Sequence, residues 1–118
     1  MPIRTEPQPI HIQVLRLRGE VSVEDACKIQ RLISEYLKAG LTHVVMNLEN
    51  VHHVQLPAIS ILAERARTLR ECGGDLKLVG VSRYLSHMWD LAGYSFQFDF
   101  CRNEEEAGLR FSNTRVPA

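Results

Sequence analysis

Histidine is the side chain best suited to chemistry near neutral pH, and two of the five histidines, His52 and His53, are adjacent in the chain. Such a pair would suit metal binding or proton transfer. Adjacent residues of an extended segment point to opposite faces, however, so a single metal ion would not contact both rings. No cysteine or carboxylate stands beside them at the spacing of a metal site. We therefore expect no metal site and interpret both histidines as surface loop residues.

The cysteines do not form a reactive pair. Cys27, Cys72 and Cys101 are odd in number, far apart and outside any CxxC motif, a pattern typical of reduced thiols in a cytosolic protein. The sequence shows no Ser-His-Asp, Cys-His or paired-carboxylate constellation, and Gly73-Gly74 with Gly80 do not complete a phosphate-binding loop. We expect no catalytic residue and no cofactor, so the protein is not predicted to be an enzyme.

Composition and charge exclude further classes of protein. The 118 residues contain 14 basic and 14 acidic side chains, so the basic surplus that nucleic-acid binding requires is missing. No apolar run reaches the roughly 18 residues of a membrane span, and the N-terminus has no apolar signal-peptide core. With 45% apolar residues, the chain is expected to fold as one cytoplasmic domain without membrane insertion.

Hydrophobic spacing predicts strands that alternate with helices. Ser22 and Asp25 have the spacing of a capping box at the start of the first helix, and Gly40 suits the left-handed residue that ends it. Strands are predicted over residues 10–18, 44–48, 76–81 and 96–100, and helices over 22–40, 57–73, 82–93 and 103–111. This order predicts an α/β fold with a mixed, mostly parallel central sheet and about four helices.

Two of the predicted strands differ in their expected surroundings. Residues 44–48 are almost entirely apolar, which is typical of a strand covered on both faces. Glu49-Asn50 are then expected to form a turn, followed by a loop or short extension that ends at Gln55. Residues 96–100 alternate strictly between aromatic and polar, which predicts a strand buried on one face only.

The expected domain spans residues 10–111. Residues 1–9 contain three prolines, so they are expected to form an irregular arm or at most an edge strand. Residues 112–118 are expected to form a flexible tail.

Four stretches in this order resemble STAS domains, the family of bacterial anti-sigma factor antagonists and of sulfate-transporter tails. They are LRLRGEV at 15–21, VVMNLENV at 44–51, CGGDLKLVGV at 72–81 and LAGY at 91–94, the last ahead of two alternating phenylalanines. The resemblance extends over residues 10–111. It implies the STAS fold and a signalling role in which the domain binds another protein without catalysis.

The sequence departs from the family at the start of the second helix. Members usually carry Asp-Ser-x-Gly there, and an anti-sigma kinase phosphorylates the Ser or Thr. Spacing from Asn47-Leu48 places this motif on Gln55-Leu56-Pro57-Ala58, where no side chain accepts a phosphate. The charge of about −1.5 to −2 that a phosphate adds to a helix N-terminus is therefore not available here. We expect no phosphorylation at Pro57, and Ser60, one turn on, is the weaker candidate.

Leu56 has two interpretations. As a helix N-cap it is about 1 kcal/mol less favourable than Ser or Asp, so it offers no local benefit. Either it packs under the preceding loop or it belongs to an apolar contact surface.

The resemblance implies a partner-binding surface at this loop and helix start. Its expected residues are His53, Gln55, Leu56, Pro57, Ala58, Ser60 and Arg65. The implied partner is an anti-sigma factor, a serine kinase-like protein or another regulator, and a homodimer is compatible with the sequence. The alternative is a structural role, as the STAS subunit of an ABC-type lipid transporter or as a scaffold in a stressosome-like sensory assembly.

Overall fold

The computed structural model describes residues 10–113, so the predicted arm at 1–9 and residues 114–118 of the predicted tail lie outside the described residues. Strands and helices alternate along the described chain, as the hydrophobic spacing predicts. The elements are β1 (Ile12–Val21), α1 (Val23–Lys38), β2 (His43–Val54), α2 (Leu56–Glu71), β3 (Asp75–Val79), α3 (Arg83–Ala92), a single 3₁₀ turn (Ser95–Gln97), β4 (Asp99–Cys101) and α4 (Glu104–Asn113).

The four strands form one sheet in the order β1-β2-β3-β4. All three pairings are parallel, and a helix follows each strand, so the predicted α/β class is confirmed. Because the strands are parallel, the helices that follow them begin at the same edge of the sheet. That edge places the starts of α2 and α3 near each other.

Each face of the sheet carries its own apolar cluster. Val44, Met46 and Leu78 lie on the face where α1, α2 and α3 pack. Val45 and Val79 point to the opposite face and pack under α4, as the two-residue period of a strand requires. Coverage on both faces explains why β2 begins as a continuous apolar run.

The predicted helix caps are present. The Ser22 hydroxyl accepts a hydrogen bond from the Asp25 backbone N–H at 3.1 Å, and the Asp25 carboxylate accepts one from the Ser22 backbone N–H at 3.0 Å. This reciprocal pair satisfies two N–H groups that a helix start leaves unpaired. Ser82 caps α3 through the Leu85 N–H at 3.1 Å.

The expected turn at Glu49-Asn50 is wrong, because β2 continues to Val54. The first strand also continues past Gly19, to Val21, and supplies the partner for this extension. Asn50 pairs with Arg18 and Val54 with Val21, with irregularities in register on either side of Arg18-Gly19. A strand continues for as long as a neighbour offers free backbone groups, and these two strands supply each other.

The predicted strand at 96–100 is only partly correct. Residues Ser95–Gln97 form a 3₁₀ turn, and only Asp99–Cys101 pair with β3. The five-residue β3 begins at Asp75, and in its parallel register with β4 it offers no partner to Phe96. Phe98 is buried whereas Phe96 is fully exposed, so the alternation of aromatic and polar residues does not continue as a longer strand.

Polar contacts fix α4 to the sheet. The Arg16 guanidinium donates two hydrogen bonds to the Glu104 carboxylate, at 2.9 and 2.7 Å, and the Asn47 amide donates a third at 2.8 Å. Arg16 first and Asn47 second lower the pKa of Glu104 below its ordinary value. The helix runs to Asn113, so residues 112 and 113 of the expected tail are helical.

Gly74 allows two backbone segments to approach each other before β3. A Cβ atom at this position would lie 1.7 Å from the Thr42 carbonyl oxygen, the same oxygen that accepts a hydrogen bond from the Asp75 N–H at 3.0 Å. Gly40 is a useful contrast, because its φ is +77° but a Cβ there would meet no atom within 4 Å.

We predict that Gly74→Ala lowers the free energy of unfolding more than Gly40→Ala does. The Gly40 variant bears only the cost of a left-handed alanine, about 1 to 2 kcal/mol, whereas the Gly74 variant must displace backbone that is hydrogen-bonded to β3. Urea unfolding followed by far-UV circular dichroism measures both. Equal losses would show that the contact with Thr42 is not a constraint on the fold.

Candidate functional site

Gln55 holds the start of α2 against the end of the β1–β2 pair. Its backbone N–H donates to the Val21 carbonyl at 3.0 Å, and its side-chain oxygen accepts from the Val23 N–H at 2.8 Å. Gln55 is the N-cap of α2, but its side chain makes no capping hydrogen bond there. The amide is used instead to join α2 to the first turn of α1.

The two residues after Gln55 are exposed, whereas the third is not. Leu56 is the first residue of α2 rather than its cap, and Pro57 is the second, where a missing N–H costs nothing. The Leu56 side chain is 44% exposed, so it does not pack under the preceding loop. Ala58 is completely buried and therefore supports the helix start from inside.

His53 contacts an aromatic residue of α3. Its Nδ1 lies 2.9 Å from the Tyr84 hydroxyl, and the two rings stack with centroids 6.0 Å apart and planes inclined by 30°. The interpretation of His52 and His53 as surface loop residues is wrong, because both belong to β2. His53 is half-buried and His52 exposed, so they point in different directions, as expected for an extended segment. The contact fixes the Tyr84 ring beside the start of α2.

A shallow apolar groove lies between the start of α2 and the outer face of α3. It encloses about 540 Å³ and is lined by His53, Gln55, Leu56, Pro57, Tyr84, His87, Met88 and Leu91. Below, these eight residues are called the α2–α3 groove. Met88 is almost fully buried, whereas Tyr84 is 52% and Leu91 65% exposed. Exposed apolar surface concentrated in one place is typical of a site that another molecule covers.

The α3 half of this groove was not predicted from the sequence. Tyr84 and Leu91 were not among the predicted contact residues, because α3 was interpreted only through its buried stripe. The available signal was the spacing of Tyr84, His87 and Leu91 at i, i+3 and i+7, which places them on one face of a helix. Leu85, Met88 and Trp89 already account for the core-facing side.

Besides the buried Ala58, two further predicted contact residues, Ser60 and Arg65, lie outside the groove. The Ser60 hydroxyl donates to the Pro57 carbonyl at 2.8 Å, and Ser60 borders a separate, polar depression with Glu64 and Arg67. The Arg65 side chain is only 17% exposed, and its guanidinium donates to the Ser34 hydroxyl and the Glu64 carboxylate, both at 3.0 Å. Arg65 thus links α2 to α1 instead of lining the groove.

The described residues also bear on metal binding and membrane insertion. Within residues 10–113 there is no group of three or more His, Cys, Asp or Glu side chains arranged to hold a metal ion. Over the same range, no helix has both the length and the apolar character needed to cross a membrane.

This fold can be compared with those of known proteins. The STAS domain family model matches residues 4–107. The chain belongs to the STAS domain family. This confirms the resemblance inferred from the four sequence stretches.

Solved structures with the same fold come from two kinds of protein. The anti-sigma factor antagonist SpoIIAA in its unphosphorylated form is 20% identical, with a TM-score of 0.70 over 93% of this chain and 96% of that one. A putative anti-sigma factor antagonist from Thermotoga maritima is 16% identical, with a TM-score of 0.76 over 86% and 87%. A sulfate transporter family protein from Wolinella succinogenes is 14% identical, with a TM-score of 0.72 over 92% and 90%. At these identities the likeness shows the fold.

We predict that Leu56→Asp leaves the free energy of unfolding within about 0.5 kcal/mol of its original value, as for most exposed positions. An acidic residue in the first turn of α2 would interact favourably with the helix N-terminus. The matched variant Ala58→Asp buries a carboxylate and should unfold the protein at much lower urea concentration. Comparable destabilisation by the two changes would mean that Leu56 supports the fold rather than forming an open surface.

Proposed function

We propose that this STAS domain is a non-catalytic protein-binding module of the anti-sigma factor antagonist type. It binds an anti-sigma factor or a related regulator in the cytoplasm through the α2–α3 groove. The observation that carries the proposal is the exposure of Leu56, Tyr84 and Leu91 around one groove at the start of α2. Sequestering the regulator in this way would release the sigma factor that it holds.

The chemistry of the groove supports binding rather than catalysis. None of its eight residues is a serine, threonine, cysteine, aspartate or glutamate, so it offers no aliphatic hydroxyl, no thiol and no carboxylate base. His53 is engaged with Tyr84. An open apolar surface with few polar groups favours association with another protein.

Binding at this surface is not gated by phosphorylation at the usual position. Pro57 occupies the place at which the family motif carries Ser or Thr, and Leu56 beside it makes the surface apolar. A phosphate there would add charge to a surface that a partner must cover, and this chain lacks the hydroxyl for it. Control of binding then comes from the abundance of the protein or from its partner.

A second candidate function is a fixed subunit of a larger assembly. A permanently apolar groove without a phosphate acceptor also suits a lasting contact, and STAS domains occur in sulfate transporter family proteins. In this case the partner would be the ATPase subunit of a lipid transporter or a component of a sensory scaffold. The identity of the co-purifying protein separates the two functions.

We predict that Leu56→Asp removes the partner in an affinity pull-down from native lysate, because it places a charge in one wall of the apolar groove, where the partner would have to desolvate it. The control is Leu109→Asp, since Leu109 is 63% exposed and lies on α4, across the sheet from the groove. Mass spectrometry identifies the retained proteins. Retention by Leu56→Asp together with loss by Leu109→Asp would move the interface to α4.

We also predict that incubation with the cognate kinase and ATP leaves residues 55–58 unmodified, because no side chain among them carries a hydroxyl. Phosphopeptide mapping is the measurement, with Leu56→Ser/Pro57→Ser as a variant that restores acceptors. Phosphate on Ser60 in the unmodified sequence would show that a switch operates one turn into α2, and the ungated mechanism would then be wrong.

A further inference from the structure

The outer face of α3 presents a regular apolar stripe. Tyr84, His87 and Leu91 stand at i, i+3 and i+7, and Met88 lies beneath them as the floor of the groove. Leu56 forms the opposite wall. Residues at this spacing form a ridge along a helix, and the space between such a ridge and a neighbouring element accepts the side chains of a second helix.

The shape and backbone of the groove disfavour other occupants. A small ligand is normally enclosed over most of its surface, whereas the walls formed by Leu56, Tyr84 and Leu91 remain roughly half or more exposed. An extended peptide that binds by strand addition needs a free sheet edge. The α3 backbone offers no such edge, because its N–H and C=O groups bond within the helix.

Charge distinguishes the two helix starts beside the groove from the other two. Acidic residues occupy the first turns of α1 and α4, at Glu24-Asp25 and Glu104–Glu106, where they complement the positive end of the helix. The first turns of α2 and α3 contain none, and α3 begins with Arg83, which is exposed. This end of the groove therefore carries positive charge that no acidic residue of either first turn offsets.

The opposite end of α3 has the reverse character. Asp90, next to Leu91, accepts a hydrogen bond from the Ser95 hydroxyl. Glu20 does not belong to this end, because it stands opposite His53 in the pairing of β1 with β2, and His53 contacts Tyr84. Along α3 itself, an acidic residue of a partner would be repelled by Asp90 and attracted toward Arg83, so the charges of α3 define a direction along the helix.

We propose that the α2–α3 groove receives an amphipathic helix of the partner protein, whose apolar side chains cover Leu56, Tyr84 and Leu91 and whose acidic residues lie at the Arg83 end. The inference rests on the proposed function, because it specifies the element that the regulator contributes to that same surface. The groove would recognise a helix that has apolar residues three or four positions apart and carboxylates at one end.

Photo-crosslinking in native lysate tests the chemistry of the bound segment. The photoreactive residue p-benzoylphenylalanine replaces Tyr84 or Leu91, and in the control it replaces Leu109 on α4. We expect crosslinks from the two groove positions only, to one segment that has helical apolar spacing, with acidic residues toward the Tyr84 attachment point. Crosslinks to a strand, a basic segment, a lipid or a second copy of this chain would overturn the inference.

Charge reversal gives an independent readout. Arg83→Glu should weaken binding of the captured partner about three- to tenfold and reduce its sensitivity to salt, as expected for a charge at the rim of an interface. The control Arg31→Glu changes an exposed charge on α1 and should leave the affinity unchanged. Equal effects of the two variants would contradict an acidic segment beside Arg83.

The outcomes separate the inference from the proposed function. If Leu56→Asp loses the partner but the crosslinked segment is not an acidic amphipathic helix, the function stands and the inference fails. If Leu56→Asp retains the partner and neither groove position crosslinks to it, both are wrong. A lysate in which the unsubstituted protein captures no partner counts against both.

Discussion

The candidate surface depends on the parallel pairing of β1 with β2. This pairing continues to Val21 and Val54, and the Gln55 N–H makes the next hydrogen bond, to the Val21 carbonyl. The pairing carries the chain beyond the point at which the apolar run of β2 ends. Gln55 then bonds to Val21 through its backbone and to Val23 through its side chain. These two hydrogen bonds fix where α2 begins, so Leu56 and Pro57 follow in a defined position at the edge of the sheet.

The α2–α3 groove has buried residues beneath it and exposed apolar residues along its walls. Ala58 and Leu62 are buried and hold α2 to the sheet, and Met88 anchors α3 from below. Leu56, Tyr84 and Leu91 remain exposed to water to about half or more of their surface and lie outside the buried core. This exposure concentrates apolar area at the start of α2, where the expected motif alignment puts Pro57 at the position of a phosphorylatable Ser or Thr. On the proposed function, the missing hydroxyl suits a contact that is either permanent or controlled by the partner.

The extent to which the sequence predicts this structure differs among its elements. The helix caps at Ser22 and Ser82 and the apolar run at 44–48 are local patterns, and the structure confirms them. The extension of β2 was missed because Glu49-Asn50 look like a turn, whereas its course depends on β1, a partner distant in sequence. The strand at 96–100 was overestimated for the converse reason, since β3 begins only at Asp75 and the parallel register leaves Phe96 without a neighbouring strand.

Of the candidate surface, the sequence predicted the part at the start of α2 but not the part on α3. Its α2 side followed from the family motif, but the same reasoning included Ala58, which is buried, and Arg65, which is held by Ser34 and Glu64. Its α3 side required knowledge that α2 and α3 begin at one edge of a parallel sheet. The stripe of Tyr84, His87 and Leu91 can be recognised in the sequence only after Leu85, Met88 and Trp89 have been assigned to the core-facing side of α3.

The most direct test of the account is an NMR titration of the ¹⁵N-labelled protein with its captured partner. We expect the amide signals of Leu56, Tyr84, His87 and Leu91 to shift or broaden, while those of Leu109 and the rest of α4 stay in place. Changes confined to α4, with the signals around Leu56 and Tyr84 unmoved, would contradict it.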